Sequence, residues 1–275
     1  MKTSCELCFH RCALDEGQTG LCRARGCREG GIVPLNYGKL TSLALDPIEK
    51  KPLRRFHPGS RILSAGSFGC NLRCPFCQNH TISMAGEGEL QIVEVSPERL
   101  ADKAAELVSQ GNIGVAYTYN EPLMGYEFVR DCAAAVRARG LANVLVTNGT
   151  VEESPWRALL PLMDAANIDL KGFTAGWYRR LGGDLDTVKR SITLAADQCH
   201  VEVTTLLVPG ENDSVEEIRG LARWLAEVDP NIPLHLSRFF PRYRMADRPP
   251  TPVNRVHALV REAKAYLAYV YAGNC

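Results

Sequence analysis

The sequence carries almost no net charge, +1 over 275 residues, and has no long run of lysine and arginine. That removes the electrostatic footprint expected of a nucleic-acid-binding chain. It also lacks any apolar stretch near the ~18 residues needed to cross a bilayer, so no membrane partner is expected. The opening MKTSCELCFHRC is polar and rich in cysteine, which argues against a secretory signal peptide. A soluble, cytoplasmic protein is the expectation. There is no solenoid-type repeat and no low-complexity segment. The last absence is local. Cys70, Cys74 and Cys77 crowd into GCNLRCPFCQN, and no further cysteine follows until Cys132. Iron–sulfur clusters and structural zinc sites usually take four protein ligands. This loop offers three.

What is present is unusual mainly in its cysteines, eleven of them. The count is odd and the spacings are tight, which in a reducing compartment points to metal rather than disulfides. The length suits one large α/β domain with a small appendage. Three regions separate: a cysteine-rich metal-binding module and connector over 1–58, a main domain over 59–245, and a C-terminal helix with a short strand over 246–275. In the connector DPIEKKPLRRFHPGS, prolines and charges oppose regular structure. The main domain alternates strand and helix patterns. RILSAGSF, IGVAYTYN, ANVLVTNG, AANIDLKG, HVEVTTLLVPG and PLHLSRFFP are strand candidates, rich in Val, Ile and Leu and ended by Gly, Pro or Asn. Helices are expected after Ser96, Ser154 and Ser214 as N-caps, with Pro97 and Glu98 reinforcing the first of them. Such alternation implies a parallel sheet, and near-continuous apolar strands favour a barrel or partial barrel. Sites in these folds lie at the C-terminal strand ends. There the cysteine loop, NEP, TNG, DLK, PGEND and SRFFP follow one another.

Thiolates in a short loop suit soft metals. Three of them can hold three corners of a four-iron cluster, leaving the fourth iron open to a substrate or cofactor, as an open position marks a catalytic rather than a structural zinc. A zinc knuckle completed by His80, or a fourth ligand from Cys132 or Cys199, are the alternatives. Cys132 falls within a helical pattern where buried cysteine is common.

GCNLRCPFCQN, with the aromatic Phe76 before its third cysteine, resembles the C-x3-C-x2-C signature of radical S-adenosylmethionine (SAM) enzymes. The likeness runs from about Arg61 to Pro241. Within that superfamily the chain is similar to the pyruvate formate-lyase activating enzymes, and more narrowly to the radical SAM member of the AmmeMemoRadiSam system. TYNEP, TNG, DLKGF, VPG, ND and RFFP keep the family's order, after an upstream YGKLTSLALDPIEKKPL that also looks like it. The resemblance implies a partial (β/α)6 TIM-like barrel with the small cysteine-rich module at its N-terminus. It implies a [4Fe-4S] cluster on Cys70, Cys74 and Cys77, with SAM chelating the unique iron. One electron, from a reductant such as flavodoxin or ferredoxin, then cleaves SAM to a 5′-deoxyadenosyl radical that abstracts a hydrogen atom. The implied substrate is a protein or peptide, as for an activase of glycyl radical enzymes. A small-molecule substrate is the alternative, and a non-catalytic iron–sulfur electron carrier is the reading from another class.

The same likeness suggests the SAM-binding residues. Asn120 and Glu121 stand where many relatives have Gly-Gly-Glu, and Glu121 supplies a negative charge for the SAM ammonium; a helix cap before Pro122 is the structural alternative. Asp169 and Lys171, two apart on a strand, face the same side and form either an ion pair or a site for the methionine end of SAM. Asn148 reaches ribose or carboxylate, or simply makes an Asn-Gly turn. Val208 to Gly210 match the segment beneath the adenine. Arg238 is a carboxylate clamp or a surface ion pair. Phe240 stands where the activating enzymes have a histidine.

Upstream, Cys5, Cys8, Cys12 and Cys22 give C-x2-C-x3-C-x9-C, with Cys27 in reserve. Zinc or an iron–sulfur cluster would accept four of the five, and the spacing does not choose. A structural site is the favoured reading, an electron-relay cluster the sharper one. The lone Cys275 is given no role.

Overall fold

The structure, a computed structural model, describes residues 2–275. The first residues form two small antiparallel pairs, and most of their cysteines, with Leu7, Leu14 and Ala24, are buried. β1 (Thr3–Ser4) pairs antiparallel with β2 (Ala13–Leu14), and β3 (Arg25–Arg28) with β4 (Gly31–Pro34). After β5 (Lys39–Leu40), β6 (Ser42–Pro47) lies antiparallel along β7 (Arg61–Gly66), and β8 (Val93–Glu94) pairs back onto β5. The remaining strands are β9 (Asn112–Tyr117), β10 (Ala142–Thr147), β11 (Ala165–Asp169), β12 (His200–Leu207), β13 (Leu234–Arg238) and β14 (Val270–Gly273). One eight-stranded sheet results, in the order β14-β13-β12-β11-β10-β9-β7-β6, parallel apart from β6. β6 and β14 are its two edges, so the barrel is partial and open.

All six strands expected from the pattern are present. Ser42–Pro47, assigned above to the leader and connector, is instead a strand of the main sheet. As an edge strand it is only half-covered, with Leu43 exposed, so it lacks the apolar run that marks the central strands.

The helices are α1 (His80–Ser83), α2 (Pro97–Glu106), α3 (Tyr126–Arg137), α4 (Glu153–Leu159), α5 (Ala175–Leu181), α6 (Leu185–Ala196), α7 (Val215–Val228) and α8 (Val253–Ala263); α2, α3, α4, α6, α7 and α8 cover the outer face of the sheet, while α5 packs at the cysteine loop. Ser96 and Ser214 cap α2 and α7, each hydroxyl accepting from the amide three residues on, at 3.3 and 3.1 Å. Ser154 does not cap. α4 starts two residues earlier, behind Glu152, whose amide is drawn onto the carbonyl of Leu7 at 2.9 Å.

Strand residues alternate between two environments, as a pleat requires. Leu63, Val115, Leu145, Ile168, Val203 and Leu236 join the large core beneath the helices. Their neighbours point into the barrel, and several are polar: Ser64, Asn167, Glu202, Thr204 and His235 are all buried. The connector closes the bottom of this lumen. Ile48 and Leu53 pack with Ile62, Ala116, Val144 and Ala165. The amides of Arg54 and Arg55 donate to Glu202 at 3.0 and 2.7 Å, and Asn167 Nδ2 donates to the Pro52 carbonyl at 2.9 Å. With the connector packed across the bottom, the C-terminal strand ends face the other end of the barrel.

Candidate active site

The cysteine loop leaves β7 and turns sharply at Gly69, whose φ of +87° favours glycine. A Cβ there would sit 2.5 Å from the Cys22 carbonyl oxygen, so no other residue fits. The loop is then braced from several elements. Asn120 accepts from the Ser67 amide at 2.9 Å and donates to the carbonyls of Phe68 and Gly69 at 3.0 and 3.1 Å. The Arg73 amide donates to Leu181 O at the end of α5, and the Arg244 amide to Pro75 O. Asn71 donates to Thr150 O and Oγ1 and accepts from Asn148 Nδ2 at 2.9 Å. Asn148 also reaches the Cys70 sulfur at 3.7 Å. Asn120 and Asn148 thus hold the loop in shape.

Cys74 is buried, while Cys70 and Cys77 are half-covered. They sit on an apolar floor of Leu72, Phe76, Trp177, Val208, Phe239 and Met245. Phe76 stacks on Trp177 at 5.9 Å between ring centroids. Burial pushes the Cys74 thiol up to about 12, against the pull of Lys171. Burial, then the Glu121 charge, raises the Cys70 thiol as well. Thiolates therefore form here only against strong positive charge, which iron supplies. Three soft donors on one short loop, over an apolar floor, suit an iron–sulfur cluster.

The polar residues gather along the rim above. Glu121 is buried and accepts from Thr147 Oγ1 at 2.7 Å, Asn148 N at 2.7 Å and Leu123 N at 3.1 Å. It caps the turn at Pro122, yet three donors leave room for one more. Burial raises its carboxyl to about 7 despite those hydrogen bonds. Lys171 Nζ pairs with Asp169 at 2.8 Å. Burial disfavours the Lys171 ammonium, but Asp169 and the nearby Cys74 outweigh it and hold it well above its usual range. Val208 is fully buried in the apolar floor, its amide tied to Asn212 Oδ1 at 2.7 Å. Arg238, at the end of β13, donates from Nε to the Thr251 carbonyl at 2.8 Å and lies over Phe240. Phe240 itself is exposed.

Several supporting residues were not singled out from the sequence. Trp177 donates to Lys171 O at 2.7 Å, Tyr178 OH accepts from Lys171 N at 3.0 Å, and Asn212 donates to the carbonyls of Lys171 and Leu206. The aromatic pair in AGWYRR, directly after DLKGF, was the available signal. His80 stacks on Tyr243 rather than joining the cysteine sulfurs.

At the N-terminus, Cys5, Cys8, Cys12 and Cys22 line one cavity. Cys27 stays out of it, its thiol turned to Glu16 at 3.8 Å.

A parallel open barrel with a three-cysteine loop after its first parallel strand and a charged rim at the C-terminal edge defines a class, and comparison agrees: residues 66–225 match the radical SAM superfamily, and the chain belongs to it. Membership makes it an enzyme family member for which a [4Fe-4S] cluster and SAM are implied. An uncharacterized protein of Methanocaldococcus jannaschii is 39% identical over 277 residues, spanning 99% of this chain and 81% of that one. The pyruvate formate-lyase-activating enzyme of Clostridium pasteurianum is 29% identical over 165 residues, 58% of this chain and 67% of that one. A solved domain of pyruvate-formate lyase-activating enzyme from Bacteroides vulgatus superposes with a TM-score of 0.51 at 18% identity, covering 58% of this chain and 99% of that domain.

Proposed function

We propose that this protein cleaves SAM reductively and takes a hydrogen atom from a protein or peptide, in the manner of a glycyl-radical-enzyme activase. The observation that carries the reading is the half-covered face of the Cys70–Cys77 loop beside a rim of Glu121, Asp169 and Lys171 at the C-terminal strand ends. When bound, the cluster and SAM together supply an electron and, after cleavage, a 5′-deoxyadenosyl radical. The chain's own residues do the rest. Cys70, Cys74 and Cys77 hold the cluster, and Asn148 and Asn71 fix the loop. Glu121, with an acceptor position left, would take the SAM ammonium. Asp169 and Lys171 would bind the methionine end, Arg238 would offer its remaining N–H donors to a carboxylate, and Val208 would give the adenine an apolar surface. The apolar floor excludes water from a radical reaction. The similarity to activating enzymes supports the macromolecular substrate, and a flavodoxin or ferredoxin is the reductant.

The test is anaerobic reconstitution, reduction, addition of SAM and measurement of 5′-deoxyadenosine. Product is expected; its absence with an intact, reduced cluster would overturn the reading. Deuterium from a labelled candidate protein should appear in that product. Transfer from a low-mass metabolite fraction instead would assign a small-molecule substrate.

A further inference from the structure

The second group of cysteines is not isolated from the first. Gly69 lies against Cys22, and the amide of Cys70 donates to the Cys22 carbonyl at 3.1 Å. Asn71, next to Cys70, lines the N-terminal cavity, and its own carbonyl accepts from His10 Nε2 at 2.8 Å. The two sites share a wall one peptide thick.

The neighbour bears on which of the metals left open by the spacing belongs here. Cys5, Cys8, Cys12 and Cys22 line one cavity, and Leu7, Leu14 and Met124 complete much of the wall. An iron–sulfur cluster one peptide away from a second one can pass it electrons, whereas zinc has no redox chemistry to offer. A second observation comes from the wall. Arg25 is buried and gives both terminal nitrogens to Glu127 at 2.8 and 2.7 Å, while its Nε has no partner. The Arg25 guanidinium lines the cavity beside Cys5, so a buried positive charge faces the sulfur ligands there. Outward, the cavity is roofed by Leu21, which is 41% exposed, so one side chain separates it from a docked electron donor.

We propose that Cys5, Cys8, Cys12 and Cys22 hold a second [4Fe-4S] cluster that relays single electrons from a ferredoxin or flavodoxin to the cluster at Cys70, Cys74 and Cys77. Each transfer oxidises the N-terminal cluster by one electron and reduces its neighbour by one. The site assignment is independent of SAM chemistry; only the relay rests on the proposed reaction. In contrast to the structural site favoured on spacing alone, all four protein ligands here serve electron passage.

The full-length protein, reconstituted anaerobically with iron, sulfide and zinc together, should bind about eight irons and eight sulfides per chain. The triple variant Cys70→Ala, Cys74→Ala, Cys77→Ala should keep about four irons, with the paramagnetic signal of a reduced cubane. The quadruple variant Cys5→Ser, Cys8→Ser, Cys12→Ser, Cys22→Ser should keep the other four. One zinc with four irons in the wild type, or an iron-free triple variant, would overturn the site. The triple variant decides this even if the quadruple one does not fold. For the relay, the quadruple variant's remaining cluster should still be reduced by dithionite but lose reduction by ferredoxin, followed by its electron paramagnetic resonance. Unchanged reduction by ferredoxin would overturn the relay. Failure to cleave SAM in a protein carrying two reducible clusters would count against the proposed reaction alone.

Discussion

Single residues set the chemistry at both ends of the barrel. At the top, Cys74→Ala removes the most buried of the three loop ligands, and we expect loss of 5′-deoxyadenosine formation together with loss of iron from that site. At the bottom, Glu202 accepts from His200 and His235 at 3.0 and 2.6 Å and from two backbone amides. Burial alone would raise its carboxyl, but these donors win and hold it near 2. Its folded value lies below the unfolded one, so its contribution is complete above the ordinary glutamate range and is lost as pH falls towards 2. Glu202→Gln should cost about 3 kcal/mol, because it mismatches a buried charged network. A melting temperature lower by roughly 6–12 °C at neutral pH, with the difference shrinking in acid, would show it. The two residue sites differ in how far the sequence disclosed them. The cysteine loop was legible because its ligands are adjacent in the chain. Glu202 was not, because its partners come from the connector and β13, far apart in sequence and joined only by folding.

Elements carry the next level of order. Alternation of apolar runs revealed the six central strands and most of the helices, since parallel strands covered by helices must be apolar on that face. The same pattern hid the polar inner face, which only the pleat separates, and hid β6, an edge strand with one side exposed. It also misplaced the start of α4, where a backbone contact with Leu7 prevails over the capping preference of Ser154. α5 is the element whose importance was least visible. Its Trp177 stacks on Phe76 and anchors the backbone of Lys171. Trp177→Ala should cost about 3–5 kcal/mol, and it should weaken SAM binding more than cluster assembly. Calorimetry with SAM on the reconstituted variant would separate these, since unaltered affinity would confine Trp177 to a packing role.

At the scale of the molecule, the chain's first segment is not an accessory laid on a finished barrel. Removing residues 1–58 would uncover Ile62, Ala116, Val144 and Ala165 and strip Glu202 of two donors. We expect such a truncation to aggregate, which size-exclusion chromatography would reveal; a monodisperse, SAM-binding product would refute this. The change from an aperiodic, cysteine-rich leader to alternating apolar runs could be read from composition, whereas the way the connector threads beneath the lumen could not, because it depends on partners more than a hundred residues away. That threading bears on the order of assembly during synthesis. Arg55 lies over Tyr269, and both its amide and that of Arg54 wait for Glu202. The connector is therefore made well before its partners and locks late, and pulsed hydrogen exchange should find those two amides protected only once β12 has joined the sheet.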